Sequence, residues 1–183
     1  MAYRTRTYIA GEWDGDSDAI EQLYKWNEGD RWSFHFVDAH GFKQCYDSSM
    51  PCTIKSNLSD RMGRSKTFVL VVGNNTKSAR KGKCSYYNCS NKRQNYWGEY
   101  YCAVAGKTYS TESFIEHECK LAYNAWRNGE MRIVVLYNAA TVDKSKCPDI
   151  FRNIGTHVAM KSYNTIWQAY RYDYNKVKNA IEG

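Results

Sequence analysis

Apolar positions along the chain fall into two alternating kinds of segment. Five short runs rich in β-branched, aliphatic and aromatic residues read as buried strands: TYIAG (Thr7 to Gly11), WSFHFVD (Trp32 to Asp38), KTFVLVVG (Lys66 to Gly73), MRIVVLYN (Met131 to Asn138) and THVAM (Thr156 to Met160). The third and fourth are continuously apolar rather than alternating, the pattern of strands covered on both faces in a parallel sheet. Helical spacing lies between the runs. Asp18 precedes Ile20, Leu23, Tyr24 and Asn27, and Ile54, Leu58 and Met62 repeat every four residues. Ser113-Phe-Ile-Glu116 is an S-x-x-E capping box that opens a long helix, with Ile115, Cys119, Ala122 and Trp126 as one stripe. Cys147-Pro148-Asp149 predicts a short helix with proline in its first turn, and Tyr163 to Ile181 reads as a closing helix rich in aromatics. The sum is an α/β fold: one flavodoxin-like domain with a five-stranded, mostly parallel sheet in the order 2-1-3-4-5, flanked by helices. Such sheets bind ligands beyond the carboxyl ends of their strands, which directs attention to the loops after Gly11, Asp38, Gly73 and Asn138.

Composition narrows the class. With 183 residues, 43% of them hydrophobic, the chain suits a single domain over 1–183 with one substantial core. No apolar run reaches the roughly 18 residues that span a bilayer, so no membrane association is expected. The N-terminal stretch turns acidic before a signal-peptide core forms, and seven cysteines are an odd number. Together these predict a cytoplasmic protein rather than a disulfide framework. The net charge of +7 is concentrated: Lys77, Arg80, Lys81, Lys83, Lys92, Arg93 and Lys107 face only Glu99 and Glu112 in the segment 77–112. That segment, an insertion within the alternation, also carries Tyr86, Tyr87, Tyr96, Tyr100, Tyr101, Tyr109 and Trp97. Such a mixture either stacks bases or packs as a tyrosine-rich β-excursion on its own domain, the reading taken here, so nucleic acid is not expected as a partner. Cys84, Cys89 and Cys102 in the same segment are spaced loosely for zinc and would need a ligand from elsewhere; a thiol-bearing hairpin is the alternative, and no metal is assigned. Asp14-x-Asp16-x-Asp18 imitates a calcium loop but lacks its glycine and its bidentate glutamate, which leaves helix N-terminal carboxylates facing the dipole. Dinucleotide-binding, P-loop, serine-hydrolase and zincin signatures are absent.

Glu118 stands out among the carboxylates. It lies at the edge of the apolar stripe, one and a half turns into its helix and beyond the capping residues Glu112 and Glu116, a position expected to be half-buried. The segment Ser113-Phe-Ile-Glu-His-Glu118-Cys resembles the aromatic-Val/Ile-x-x-Glu signature of the TIR-domain catalytic helix, with Phe114 in place of the commoner tryptophan. The first strand with Ile9-Ala-Gly and Trp13-Asp14, and the second with Phe36-Val-Asp38-Ala-His40, keep the order of that family. So do a BB-like loop from Gly41 to Pro51 and the core strand Phe68 to Gly73. The nearest likeness is to the TIR-like proteins of Thoeris anti-phage systems. The resemblance implies an enzyme that cleaves NAD as its substrate, without a further cofactor, and makes an ADP-ribose-derived, cyclic or linear, nucleotide. It implies that this nucleotide activates a separate effector protein. Self-assembly and a non-catalytic protein-interaction module remain open. It implies Glu118 as the catalytic residue and Tyr8, Ala10, Gly11, Trp13, Asp38 and His40 as substrate-binding residues.

Overall fold

The computed structural model describes residues 6–28, 35–38, 51–84, 89–103, 107–108 and 111–183, with the backbone alone described for Arg6, Trp13, Asp14, 35–38 and 107–108. In chain order the elements are β1 (Arg6–Ala10), α1 (Trp13–Glu28), β2 (His35–Asp38), α2 (Pro51–Met62) and β3 (Thr67–Val72). A 3-10 turn at Thr76–Ser78 leads to β4 (Lys92–Gln94), β5 (Tyr100–Cys102) and β6 (Lys107–Thr108). After them come α3 (Phe114–Arg127), β7 (Arg132–Tyr137), a 3-10 turn at Asp149–Phe151, β8 (Thr156–Ala159), β9 (Lys161–Asn164), β10 (Ala169–Tyr172) and α4 (Tyr174–Glu182).

Five strands form the central sheet in the order β2-β1-β3-β7-β8, with every neighbouring pair parallel. This is the 2-1-3-4-5 order expected from the alternation. The pleat divides the apolar residues between two layers. Tyr8, Ala10, Phe68, Leu70, Ile133 and Val135 meet Ile54 and Leu58 of α2 and Ile115, Cys119 and Ala122 of α3 on one face. Ile9, Val69, Val71, Val134 and Leu136 meet Ala19, Ile20 and Leu23 of α1 and Val177 and Ile181 of α4 on the other. All six residues of β3 are buried, which is why its sequence runs apolar without alternation. Among the described residues no helix is long and apolar enough to cross a membrane.

Several expectations change. Residues 161–172 form an antiparallel hairpin of β9 and β10, and helix α4 begins only at Tyr174, capped by the Asp173 side chain accepting from Lys176 N–H. Aromatics at 163, 167, 170 and 174 imitate helical spacing, yet Tyr163, Trp167 and Tyr170 are all exposed. The turn is set locally by the Asn164 side chain, which accepts from the N–H groups of Ile166 and Trp167 at 3.0 and 3.2 Å, and by Gln168 at positive φ. Trp126 leaves the buried stripe of α3 and is exposed. The element after Cys147 is one 3-10 turn, with Pro148 at its cap rather than inside it.

Helix α1 starts at Trp13 rather than near Asp18 and is kinked at Asp16, whose φ of −130° departs from helical geometry. The kink turns Asp16 inward. Its carboxylate accepts from Thr76 Oγ1 at 3.3 Å and from Asn138 Nδ2 at 3.2 Å, and it is 1% exposed, so it is an inter-strand anchor and not a solvated dipole partner. Gly73 lies directly beneath it, and a Cβ there would collide with the Asp16 carboxylate. Gly73→Ala is therefore expected to lower stability by about 1–3 kcal/mol, read as a reduced urea midpoint; an unchanged midpoint would show that Asp16 can move aside without loss.

Candidate functional site

Helix α3 is placed by its first turn. Ser113 Oγ accepts from Glu116 N–H at 3.2 Å while Glu116 Oε2 accepts from Ser113 N–H at 2.6 Å, the reciprocal capping expected from the sequence. Phe114 N–H donates to Lys81 O at 2.9 Å, and the Lys55 ammonium of α2 donates to Glu112 O at 2.5 Å just ahead of the cap. These bonds fix the rotation of α3 about its axis. The consequence is that Glu118, one turn further on, faces the sheet.

Glu118 is 0% exposed, so the half-buried position expected for it is replaced by full burial. The Tyr8 hydroxyl of β1 donates to Glu118 Oε1 at 2.6 Å, the short distance of a hydrogen bond to a carboxylate. The Tyr8 ring is stacked on Phe68 of β3, with centroids 5.8 Å apart, and this holds the hydroxyl in place. Two expected site residues separated by 110 positions are thus joined directly.

Other expected residues have different placements. Ala10 ends β1 and is buried beside Tyr8 in the same layer. Gly11 follows it, but a side chain there would point to the opposite layer, 2.9 Å from Ile20 Cδ1 and 3.3 Å from Val71 Cβ, so close helix–sheet packing accounts for that glycine. Trp13 is the first residue of α1, and Asp38 ends β2 in register with Ile9. The side chains of Trp13 and Asp38, together with His40 and the loop from Gly41 onward, lie outside the described residues.

Three polar residues between α2 and the start of α3 escaped the sequence reading. Lys55 is 4% exposed, and burial holds its ammonium below the usual lysine range, partly offset by Cys84 and Glu112. His117, next in chain to Glu118, has Nε2 3.1 Å from Ser59 Oγ, and the Ser59 hydroxyl donates to Lys55 O at 2.8 Å. Burial, and then the nearby Lys55 charge, keep His117 below its ordinary value. Lys55 falls among the buried positions Cys52, Ile54, Leu58 and Met62 of α2, where a polar residue is a signal of burial with partners.

At the carboxyl ends of β3 and β7 lies a separate polar cavity of about 140 Å³, lined among others by Asp16, Gly73, Asn74, Asn138 and Lys146. The loops after Gly73 and Asn138 were expected to form such a place. Burial raises the Asp16 carboxyl against the hydrogen bonds it accepts from Asn138, Thr76 and Gly73. Burial also opposes the charge of Asp18, but bonds from Tyr172 and Asn138 outweigh it and leave Asp18 below the usual carboxylate range. Among the described residues, no group of three or more His, Cys, Asp or Glu side chains is arranged to hold a metal ion.

Residues 8–82 match the family model described as Thoeris protein ThsB, TIR-like domain. The matched span carries β1 with Tyr8, α1, β2, α2 and β3, and it ends ahead of α3 and Glu118. No curated protein matches the chain.

Two outcomes check this geometry. Tyr8→Phe withdraws a donor from a buried carboxylate and should cost about 1–3 kcal/mol of stability; equal unfolding midpoints would show that Glu118 does not depend on it. Because His117 is depressed in the folded chain, the unfolded chain takes up the proton first as pH falls below about 6.5. Stability present at neutral pH should therefore decline between about pH 7 and 5, and His117→Gln should flatten that slope. A slope identical in the variant would assign the decline to other groups.

Proposed function

We propose that this chain, a TIR-like protein resembling the TIR component of Thoeris anti-phage systems, cleaves the nicotinamide–ribose bond of NAD with Glu118 as its catalytic carboxylate. The family match points to a role in anti-phage defence. The observation that carries the enzymatic reading is the Tyr8–Glu118 pair: a carboxylate on the helix with the TIR-type signature, withdrawn from water and oriented by a hydroxyl from the first strand. An open α/β sheet has no packing need for a carboxylate at that depth, and burying one costs free energy unless it is hydrogen-bonded.

The chemistry suits a single carboxylate. Loss of nicotinamide leaves an oxocarbenium-like ribose, whose developing positive charge a fixed carboxylate stabilises and whose hydroxyls it can bind. Nicotinamide leaves as a neutral molecule from a pyridinium, so no general acid is needed. Water at the cationic centre gives ADP-ribose; a hydroxyl of the same nucleotide in a water-poor site closes a ring. The resting burial of Glu118 supports the second outcome, because a site closed over its carboxylate limits water. It also means that substrate entry requires the cover formed by α2 and α3 to open. In this reading NAD is the substrate, no cofactor is held, and the product is a diffusible nucleotide that switches on a separate effector protein.

A different class of function has an observation of its own. Tyr96 and Trp97 in one hairpin, and Tyr163, Ile166, Trp167 and Tyr170 in another, are large exposed apolar residues of the kind that protein-interaction modules present.

Glu118→Gln keeps the volume and an acceptor for Tyr8, so it should fold while losing nicotinamide release by roughly a hundredfold or more. The check is product analysis by mass spectrometry of purified wild-type and variant protein incubated with NAD, alongside circular dichroism. Equal turnover by the folded variant would remove Glu118 from the chemistry. In cells, protein-free filtrate from phage-infected cultures expressing the chain should activate the purified effector, and filtrate from a Glu118→Gln culture should not. Inert wild-type filtrate, with co-purification and mutual activation of the two proteins, would favour the interaction module.

A further inference from the structure

Between α2 and the start of α3, three side chains stand in a line that the reading of Glu118 leaves unused. Ser59 lies in the last turn of α2 and His117 in the first turn of α3. Ser59 Oγ is 3.1 Å from His117 Nε2, and the other ring nitrogen, Nδ1, is 3.7 Å from Glu112 Oε2. Hydroxyl at Nε2 and carboxylate at Nδ1 is the order of a nucleophile, its base and the group that orients the base. The cap of α3 holds two of the three together, because Glu112 directly precedes Ser113 and His117 N–H donates to Ser113 O at 3.0 Å.

The protons can be placed. At rest the Lys55 carbonyl takes the Ser59 hydrogen at 2.8 Å, and rotation about the Cβ–Oγ bond turns that hydrogen to Nε2. A carboxylate beside Nδ1 favours the tautomer with its hydrogen there, which leaves the Nε2 lone pair facing the serine. Burial opposes the charge on Glu112, but Lys120, donating to Oε1 at 2.8 Å, outweighs it and holds that carboxyl below the usual range. His117, depressed by burial and then by Lys55, is a neutral base at pH 7. The line is open to reagents: the His117 and Glu112 side chains are 19% and 31% exposed, and Ser59 is half-buried.

We propose that Ser59, His117 and Glu112 form a second reactive site, a serine nucleophile that takes acyl groups from activated carboxylic esters. Ser59 Oγ attacks the ester carbonyl carbon while its proton passes to Nε2. The bond from that carbon to the leaving oxygen then breaks, and His117 returns the proton to the departing alcohol. Water repeats the sequence on the acyl-serine, releasing the carboxylic acid and restoring Ser59, so the sum is hydrolysis with nothing oxidised or reduced. Glu112 touches no substrate; it is a positioning residue that selects the tautomer. A histidine of lowered proton affinity is a weak base, which suits esters with good leaving groups such as aryl esters. The chemistry involves neither Tyr8 nor Glu118, so it stands whether or not the chain cleaves NAD.

The test uses the full chain with two probes: p-nitrophenyl acetate, and an alkyl fluorophosphonate that forms an Oγ–P bond and releases fluoride. Peptide mapping of the wild type by mass spectrometry should place the phosphonyl group on Ser59, a result that depends on no variant folding. Protein-dependent nitrophenolate release should fall by roughly tenfold or more in Ser59→Ala and in His117→Gln, each checked by circular dichroism. In the wild type the labelling rate should level off as pH rises, with its half-maximum below about pH 6.5, where His117 loses its proton. Glu112→Gln removes a charge that raises His117 and should move that midpoint lower. A rate that climbs with pH without a plateau, equal labelling in folded His117→Gln, or label confined to residues other than Ser59 would each overturn the proposal. The three side chains would then be a polar contact between helices and nothing more.

Discussion

A carboxylate withdrawn completely from water can persist only if something inside the fold answers it, and here the Tyr8 hydroxyl gives Glu118 a bond of 2.6 Å across the space between sheet and helix. Much of the surrounding structure aligns those two groups. The stack on Phe68 fixes the tyrosine ring, and the cap of Ser113 and Glu116 sets the helix phase. Lys55 and Lys81 hold the entry of α3 from the side. If α3 were rotated by one residue, about 100°, Glu118 would swing away from β1 and an apolar neighbour would lose its place in the core.

The opposite layer solves the same problem with different residues. Asp16 is also buried, and it is answered by Thr76 and Asn138, which follow β3 and β7. The two carboxylates serve different ends. Asp16 is bonded at both oxygens and ties the start of α1 to the rim of the sheet, consistent with an architectural anchor. Glu118 meets Tyr8 of the layer covered by α2 and α3, and stands between a histidine and a cysteine in sequence.

Much of this fold was legible before any coordinates. The continuous apolar runs at 67–72 and 132–137 predict strands buried on both faces, and the capping box at Ser113 predicts the start of α3. What stayed hidden depended on partners far along the chain. The burial of Glu118 is decided by Tyr8, and that of Asp16 by Asn138, 122 positions away. No local periodicity reports such pairings. The hairpin at 161–172 was hidden for the opposite reason: its aromatic spacing mimics a helix, while its turn rests on Asn164, a residue with no apolar signal.

The hydrogen bond between Phe114 N–H and Lys81 O joins the two ends of everything that lies between those residues. A segment whose ends are pinned together is, for the rest of the domain, a closed loop, and the entropy of closing a loop grows only logarithmically, by about 0.6 kcal/mol for each doubling of length. Lineages of this fold are therefore free to lengthen, shorten or exchange that excursion at little thermodynamic cost. Its surface chemistry can diversify while the geometry around Glu118 stays fixed.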